Sequence, residues 1–464
     1  MDSKRSGVTD ASKKQFRAVL PRQTDLMSDT LELLAQAQQA EAVFYMVLDA
    51  VDAYWQLLLH PNERRFFCAV LRRPGKQPTY LVFNRTPQGS RGAPLSWTAI
   101  FGLVCRLAFS TLRCPVQPNA SRMEVYVDDP ICALLGTREG CMRQVAILVL
   151  SWAALGISLA LPKGQFGTTA NWIGATFESK ADRVTGTIQQ QRLDELQQMA
   201  AEIRRQNVCT LKLLRTFTGK AQSIASLIYT WRPFVHMLYG AIYGPPSDAP
   251  TNCIWTRQIV VPLQWIQAFL AGTKGNLVRT MTLDSHLRRG QSVIITTDAS
   301  PYGLGAILTI DGTIVSYLAD VFCEVDKQVL GLSIELCSVD QQALEALTIL
   351  VALREWVDHW RSVRLVLCIR TDNIAALTMV ARMQPHSLQL AIIAREVALD
   401  VASAMYTPDI VEHVPGVANV AADALSRLND PTKAVALPSY LSTVPRHACT
   451  ARQLGWWRAL PAAP

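Results

Sequence analysis

Three aspartates come directly after short apolar runs whose Val and aromatic content predicts strands. Asp49 follows residues 44–48, and Asp128 and Asp129 follow residues 123–127. Carboxylates at strand ends beside a core are costly unless they are paired or bind metal ions, and bound Mg²⁺ would relieve the repulsion among three of them. Two such ions suit phosphoryl transfer to a 3′-hydroxyl, because one activates the attacking oxygen and the other holds the triphosphate. Taken alone, the adjacent aspartate pair is more simply a hairpin turn.

Four more carboxylates form a second set in the C-terminal part of the chain. Asp298 and Asp372 end predicted strands, while Asp423 opens the last predicted helix. Individually, these aspartates are ordinary turn starters or first-turn helix acids. Glu345 is different, because it lies inside a predicted long helix whose neighbouring residues are apolar. Such a carboxylate is costly unless it faces a metal ion.

The strands and helices that must position these residues form two groups along the chain. A Pro-rich linker at residues 244–250 separates the two groups. The predicted strands are 44–48, 80–83, 123–127, 172–177, 293–297, 305–310, 313–317, 364–370 and a segment near Ile410. The predicted helices are 90–112, 144–155, 192–205, 211–229, 341–360, one after Asp372, 388–402 and one from Ala421.

Composition excludes several classes of protein. Half of the 464 residues are hydrophobic and 18% are charged, which excludes a disordered chain, and 24 Gly and 24 Pro exclude a collagen-like repeat. The 11 cysteines form no CxxC pair, which predicts reduced core thiols in an intracellular protein without a secretory signal peptide. Ser and Gly interrupt the apolar residues 145–161, which favours a buried helix over a membrane span.

The net charge of +8 is unevenly distributed along the chain. Residues 1–285 have a balance of +11, residues 286–428 a balance of −6, and the rest a balance of +3. A basic part joined to an acidic part is typical of a polyanion-binding region beside a region that needs cations. Plain variation in surface composition would give the same asymmetry.

Five short motifs follow one another along the first part of the chain. They are Leu48-Asp-Ala-Val-Asp-Ala-Tyr54, Thr86-Pro-Gln-Gly-Ser-Arg-Gly-Ala-Pro94, Tyr126-Val-Asp-Asp129, Leu155-Gly-Ile-Ser-Leu followed by Lys163, and Trp172-Ile-Gly174. In this order they resemble the palm motifs of the reverse transcriptases of retroviruses and of LTR-type retrotransposons (Ty3/gypsy-like or DIRS-like). The resemblance implies an RNA-directed DNA polymerase that uses dNTPs, a template-primer and two Mg²⁺ or Mn²⁺ ions per active site.

The resemblance also implies roles for individual residues around the triphosphate. Asp49, Asp128 and Asp129 would be the catalytic metal ligands. Asp52 and Ala53 would offer backbone amides to the triphosphate.

Four further residues would contact the nucleotide or its products. Tyr54 would lie under the incoming sugar and exclude a 2′-hydroxyl, although a core tyrosine is an alternative. Gln88 and Gly89 would lie against the nucleotide and template, with glycine allowing close backbone approach. Lys163 would lie near the leaving pyrophosphate, and a solvated loop lysine is an equal alternative.

Two features depart from this family pattern. Pro130 follows the aspartate pair where the family usually has an apolar strand residue, and proline removes a strand donor. Upstream of Asp49, only residues 5–14 could represent the last part of the finger strands that carry triphosphate-binding cations. These departures predict a fragment of a longer polyprotein or a decayed copy.

The second carboxylate set belongs to motifs of its own. They are Asp298-Ala-Ser, Thr371-Asp-Asn, His413-Val-Pro-Gly, Asn419 and Ala422-Asp-Ala-Leu-Ser-Arg427. Over residues 292–428 they resemble ribonuclease H, in which Asp, Glu, Asp and Asp surround two divalent metals. The resemblance makes Asp298, Glu345, Asp372 and Asp423 metal ligands. It makes His413 a mobile residue that assists product release, with a solvent histidine as the alternative.

The resulting prediction is a multidomain protein of α/β and α+β class. Its predicted parts are a remnant of the fingers at 1–45, a palm with fingers insertion at 46–180, thumb or connection helices at 181–285, a ribonuclease H-like mixed-sheet domain at 286–428 and a loop-like tail at 429–464. The predicted function is reverse transcription with ribonuclease H cleavage of RNA–DNA hybrids, as part of a retroelement polyprotein. The alternative is a decayed relic that binds nucleic acid without polymerising.

The predicted partners follow from this function. They are RNA and DNA template-primers, RNA–DNA hybrids and dNTPs, with no membrane. The integrase, protease and gag parts of the polyprotein would be encoded outside these 464 residues, since none of their motifs occurs in them. The predicted location is intracellular, either cytoplasmic or nuclear.

Overall fold

A computed structural model describes residues 18–90, 92–112, 120–245, 248–360, 365–403 and 410–460. Residues 5–14, the predicted remnant of the finger strands, lie outside this part of the chain. The fold consists of two compact units. The first extends to Thr187 and includes Thr280–Leu283, and the second comprises Ile188–Arg279 and the chain from Asp284 onward. The five-part subdivision predicted from the sequence is finer than this and stays a prediction.

The first unit combines three helices with short strands. Its elements are α1 (Gln23–Leu34), β1 (Ala42–Val47), β2 (Cys68–Leu71), β3 (Thr79–Val82), α2 (Ala93–Ser110), β4 (Ser121–Tyr126), β5 (Asp129–Gly136), α3 (Arg138–Ala154), β6 (Gln165–Gly167), β7 (Thr169–Trp172), β8 (Ala175–Lys180) and β9 (Arg183–Ile188). Strands β4, β5, β1 and β6 form one sheet in that order, and β7, β8 and β9 belong to a second sheet. A separate two-stranded ribbon is formed by β2 and β3.

The β4–β5 hairpin forms in register despite the proline beside it. Tyr126 pairs with Asp129 and Val125 pairs with Pro130, so Val127 and Asp128 form the turn. The carbonyl of Pro130 accepts a hydrogen bond from Leu48 N at 3.3 Å. The N and C=O of one strand residue face the same neighbour, so the missing donor faces β1 and not the hairpin partner. Proline therefore removes a bond to β1 and leaves the turn in place.

The α2 helix supplies much of the core of the first unit. Trp97, Phe101, Cys105 and Ala108 are buried at helical spacing, and the Trp97 and Phe101 rings stack with centroids 4.8 Å apart. Among the described residues, this helix is long and apolar enough to cross a membrane by length and composition alone. Burial of one face in a core accounts for the same composition.

The sequence prediction of one strand over residues 172–177 is wrong. A tight turn at Ile173-Gly174 instead separates β7 from β8, and Trp172 pairs with Ala175. Both turn residues have positive φ, 40° and 83°. That combination belongs to the two-residue hairpin turn whose twist matches paired strands, and glycine makes it accessible. The prediction overlooked this single turn glycine in an otherwise strand-like run.

The second unit contains most of the helices and a larger sheet. Its elements are α4 (Gln190–Arg204), β10 (Val208–Thr210), α5 (Leu211–Leu227), α6 (Arg232–Tyr243), β11 (Cys253–Trp255), α7 (Val260–Leu270), β12 (Val278–Thr282), α8 (Leu283–His286), β13 (Gln291–Ser300), β14 (Gly303–Ile310), β15 (Thr313–Asp320), α9 (Glu324–Leu330), α10 (Gln341–Glu355), β16 (Leu365–Thr371), α11 (Ile374–Arg382), α12 (Leu388–Ala402), β17 (Ile410–His413) and α13 (Val420–Ser426), of which β12 and α8 span the unit boundary. The long helix ends at Glu355, before a 3₁₀ turn, and not at residue 360 as predicted.

The larger sheet of the second unit is mixed. Its strand order is β15, β14, β13, β16 and β17, with the first three antiparallel and the last three parallel. Because β13 and β16 are parallel neighbours, their carboxyl ends lie at the same edge of the sheet. That edge carries Asp298 near the end of β13 and Asp372 directly after β16.

The chain after Leu428 has little regular structure but is packed into the second unit. Leu441, Trp457 and Ala459 are buried in it. Arg452 is also buried, and it forms ion pairs with Asp326 at 2.9 Å and Asp320 at 2.8 Å. The loop-like composition of this tail is therefore compatible with a structural role.

We predict that Arg452→Met destabilises the second unit by about 3–5 kcal/mol, because it leaves Asp326 buried and unpaired. Urea unfolding followed by circular dichroism measures this loss. The exposed Lys433→Met in the same tail is the control, with an expected change within about 0.5 kcal/mol. Equal unfolding midpoints for the wild type and Arg452→Met would contradict a structural role of the tail.

Candidate functional site

The first acidic cluster lies where β1 meets the β4–β5 hairpin. Asp128 occupies the hairpin turn and Asp129 begins β5, while Asp49 follows β1 by two residues. Ala50 N donates to Asp128 O at 3.3 Å, which ties the end of β1 to the turn. Lys163 Nζ lies 3.2 Å from Asp49 Oδ2. The backbone pairing thus brings three carboxylates and one ammonium group together.

The charges of this cluster influence one another. Burial, followed by the charges of Asp128 and Asp49, raises the pKa of Asp129 to about 6, and Lys163 opposes this rise. Burial and the Asp49 charge raise the pKa of Asp128 as well, against a lowering backbone hydrogen bond. A site with excess negative charge and half-buried oxygens favours cations.

A short 3₁₀ helix, Ala53–Gln56, places Tyr54 beside this cluster. Burial raises the pKa of Tyr54, and the charge of Asp128 raises it further. The Tyr54 ring also packs against the core of the first unit. Tyr54 therefore lies both against the core and near the aspartates, and its role in sugar selection stays a prediction. Asp52, at the start of the helix, has a left-handed φ of 50°.

The loop with Gln88 and Gly89 is anchored to the chain just after that helix. Thr86 N donates to Leu57 O at 2.9 Å, and Thr86 and Ser90 are buried. Between them, Gln88 and Gly89 are exposed. Gly89 has a φ of 90°, which favours glycine over other residues. The loop thus presents its backbone at an exposed position on a fixed base.

The second acidic cluster lies at the carboxyl edge of the mixed sheet. Oxygens of Asp298, Glu345 and Asp372 lie within 4.8 Å of one another, and among the described residues this is the only such group of three or more possible metal ligands. Asp298 and Glu345 are 5% and 2% exposed. Glu345 reaches the group from α10, which packs against β13.

Mutual repulsion and burial shift the protonation of this group. Burial, followed by the charges of Asp298 and Asp372, raises the pKa of Glu345 to about 8. Burial also raises the pKa of Asp298 to about 6. Both oxygens of Glu345 have a hydrogen-bond donor, Gln341 Nε2 at 2.9 Å and Thr371 Oγ1 at 3.2 Å. The carboxylate is therefore held in place, although its charge is disfavoured.

The surroundings of the group fit a divalent cation. Asn419 is 3% exposed, and its Oδ1 accepts no hydrogen bond from the described residues. Its Nδ2 donates to Thr297 O at 3.0 Å and lies 3.5 Å from Asp298 Oδ1. Carboxylate and amide oxygens are the ligand atoms that Mg²⁺ and Mn²⁺ prefer. Ser426 Oγ adds a 2.6 Å hydrogen bond to Asp298 Oδ2.

Two predicted residues of this site lie outside the group of three. Asp423 Oδ1 is paired with Arg427 Nε at 2.7 Å, although its charge still raises the pKa of Asp298 after burial does. His413 is exposed at the end of β17, and its Nε2 lies 3.1 Å from Asp372 O. Sequence reasoning missed Gln341, Thr371 and Ser426 as supporting residues. The signals that could have identified them were the place of Thr371 and Ser426 inside the motifs of this site and that of Gln341 one helical turn before Glu345.

Comparisons with known proteins give a distant relationship. No family model matches this chain. The Gag-Pol polyproteins of gibbon ape leukemia virus and koala retrovirus are each 30% identical to it over 123 residues, which is 26% of this chain and 7% of theirs. Two structures of foamy viral protease-reverse transcriptase with double-stranded DNA match 88% of the chain at 16% and 15% identity, with TM-scores of 0.42 and 0.39. They are covered to 62% and 73% of their own length.

This chain therefore spans a small part of the length of the viral polyproteins that it matches. Its sequence contains a region of 123 residues that is similar to the Gag-Pol polyproteins of two retroviruses.

A pH-dependent stability follows from the raised pKa of Glu345. Because the folded state favours its neutral form, this contribution is complete below the ordinary pKa of 4.5 and is lost as pH rises through about 8. We predict that, in EDTA, Glu345→Gln gains thermal stability relative to the wild type as pH rises from 5 to 8.5. Mn²⁺ at pH 8 should raise the melting temperature of the wild type more than that of the variant. If the difference in melting temperature between Glu345→Gln and the wild type does not change with pH, Asp298 and Asp372 do not repel Glu345.

Proposed function

We propose that the chain is an RNA-directed DNA polymerase with ribonuclease H activity, encoded as part of a retroelement polyprotein. The observation that carries this proposal is the presence of two separate acidic clusters, one in each unit. Each lies at residues whose motifs resemble the corresponding active site. When bound, a pair of Mg²⁺ or Mn²⁺ ions supplies activation of the attacking oxygen and stabilisation of the leaving oxygen at each site.

In the polymerase site, Asp49, Asp128 and Asp129 hold the cations. Lys163 balances the charge of Asp49 and faces the leaving pyrophosphate, where an ammonium group stabilises developing negative charge. Tyr54 fills the space below the incoming sugar and so selects dNTPs over ribonucleotides.

Four other residues of this site act through the backbone or through shape. Asp52 and Ala53 offer amide groups to the triphosphate. Gln88 and Gly89 lie against the template and nucleotide, where the exposed glycine permits close approach.

In the ribonuclease H site, Asp298, Glu345, Asp372 and Asp423 hold the cations. Two of the clustered carboxylates are held by hydrogen bonds: Gln341 and Thr371 donate to Glu345, and Ser426 donates to Asp298. His413, exposed beside Asp372, assists product release. Because these groups are held in place before the reaction, less entropy is lost on reaching the transition state.

The substrates follow from these two sites. They are a primed RNA or DNA template, dNTPs and the RNA strand of an RNA–DNA hybrid. The basic part at residues 1–285 holds the phosphates, so binding should weaken with salt. The acidic part needs cations to approach a polyanion, and the whole process takes place inside the cell.

One observation favours a second candidate, a relic that binds nucleic acid without polymerising. Pro130 lies in the central strand β5 and cannot donate a hydrogen bond toward Leu48, directly beside Asp49. A weakened strand end would misplace the carboxylate, and small errors in position greatly reduce catalysis.

Primer extension on poly(rA) with oligo(dT) tests the polymerase. We predict that the wild type extends the primer and that Asp128→Asn lowers the rate more than about 100-fold, because a metal ligand is lost without a change in shape. The exposed Asp182→Asn in the same unit is the control and should retain the wild-type rate. Binding of the template-primer without extension by the wild type would instead support the relic.

Hybrid cleavage should be separable from synthesis, because its carboxylates belong to the other unit. We predict that Glu345→Gln in the full chain abolishes cutting of the RNA strand and leaves primer extension within about twofold. Glu324→Gln, whose side chain is 87% exposed, is the matched control. Cutting at the wild-type rate by Glu345→Gln, at both low and physiological salt, would contradict the assignment of the second site.

A further inference from the structure

Asp423 differs from the other three predicted ligands in what it contacts. Its Oδ1 lies 2.7 Å from Nε of Arg427, the residue directly after α13. Both side chains are partly exposed, 46% for Asp423 and 41% for Arg427. Oxygens of Asp298, Glu345 and Asp372 lie within 4.8 Å of one another, and none of the three forms an ion pair with a described residue. The fourth carboxylate is therefore occupied by a residue of the chain itself.

The backbone of α13 packs closely on β14, which limits movement of the helix. A Cβ at Gly305 of β14 would lie 2.6 Å from both Ala422 O and Ser426 N, which shows how closely the helix backbone packs on the strand. Ser426 Oγ donates to Asp298 Oδ2 at 2.6 Å, and Ser300 Oγ donates to Ser426 O at 2.8 Å. A change at Asp423 must therefore come from its side chain and not from the helix.

We propose that Arg427 is a positioning residue that competes with a divalent cation for Asp423. The group of Asp298, Glu345 and Asp372 then binds one cation first. A second cation that would take Asp423 as a ligand binds only when Asp423 leaves Arg427. This inference rests on the proposed ribonuclease H function and adds an order of metal binding controlled by Arg427.

The physical basis is the strength of the competing interactions. Arginine stays charged at any accessible pH, so Arg427 cannot be neutralised to free its partner. An exposed ion pair contributes little net free energy, so a divalent cation can displace it at modest cost. The displaced guanidinium would still repel the incoming cation, which weakens the second binding step relative to the first.

Mn²⁺ titration of the full chain, followed by electron paramagnetic resonance of the free ion, tests the proposal. The experiment uses the Asp49→Asn, Asp128→Asn background, which removes two of the three carboxylates of the first acidic cluster. We expect two classes of Mn²⁺ in this background. Arg427→Gln should tighten the weaker class roughly two- to fivefold and leave the stronger class unchanged. Adding Asp423→Asn should abolish the weaker class.

Two further variants separate competition from general charge effects. Arg370→Gln removes the same charge from the same unit and is the matched control. Arg370 forms a comparable ion pair with Glu412, at 2.7 Å and with side chains that are 37% and 42% exposed. Arg427→Lys keeps the charge but loses the Nε contact, and should tighten the weaker class less than glutamine does. Thermal denaturation establishes that each variant is folded.

The outcomes distinguish the two proposals. Tightening in Arg427→Gln but not in Arg370→Gln supports competition for Asp423. No change, or equal tightening in both variants, overturns the role of Arg427 while the metal site stands. If replacing Asp298 in the parent chain removes no Mn²⁺ binding, the proposed ribonuclease H function fails together with this inference.

Discussion

Electrostatic repulsion among buried carboxylates is the constraint around which the second unit is organised. Glu345 lies in the middle of an apolar helix and within 4.8 Å of two aspartates, an arrangement that burial alone makes costly. The folded chain accommodates it by protonation, as the raised pKa of Glu345 indicates, and by hydrogen bonds to both of its oxygens. Structures retain such strain where a ligand relieves it. The parallel pair β13 and β16, the helix α10 and the short helix α13 all serve to hold these oxygens together.

The first unit reaches an acidic cluster by a different construction. A hairpin turn and the end of β1 bring its aspartates together, and a lysine lies among them. This cluster is more exposed, with 30% of the Asp49 side chain accessible. Repulsion among its aspartates is therefore weaker in the absence of a cation, because solvent and Lys163 screen their negative charge. The two sites of the chain thus combine the same residue types with different degrees of burial.

The sequence allowed prediction of features that depend on local pattern. Strand ends carrying Asp298 and Asp372, and a carboxylate among apolar helix residues, are visible in periodicity alone. The pairing of strands was harder to predict from the sequence, as the turn at Ile173-Gly174 demonstrates. Side-chain partners that are distant in the sequence could not be predicted at all, as with Arg452 and Asp326, which lie 126 residues apart. Composition likewise could not reveal that a tail of loop-like sequence buries Trp457 and Ala459.

Diffraction from crystals grown with Mn²⁺ would show whether the second acidic cluster binds a cation, since the anomalous signal of the ion locates it without reference to activity. We predict a peak between Asp298, Glu345 and Asp372, with carboxylate oxygens about 2.0–2.3 Å from it. Ordered crystals with the three carboxylates in place and no anomalous peak among them at millimolar Mn²⁺ would contradict it.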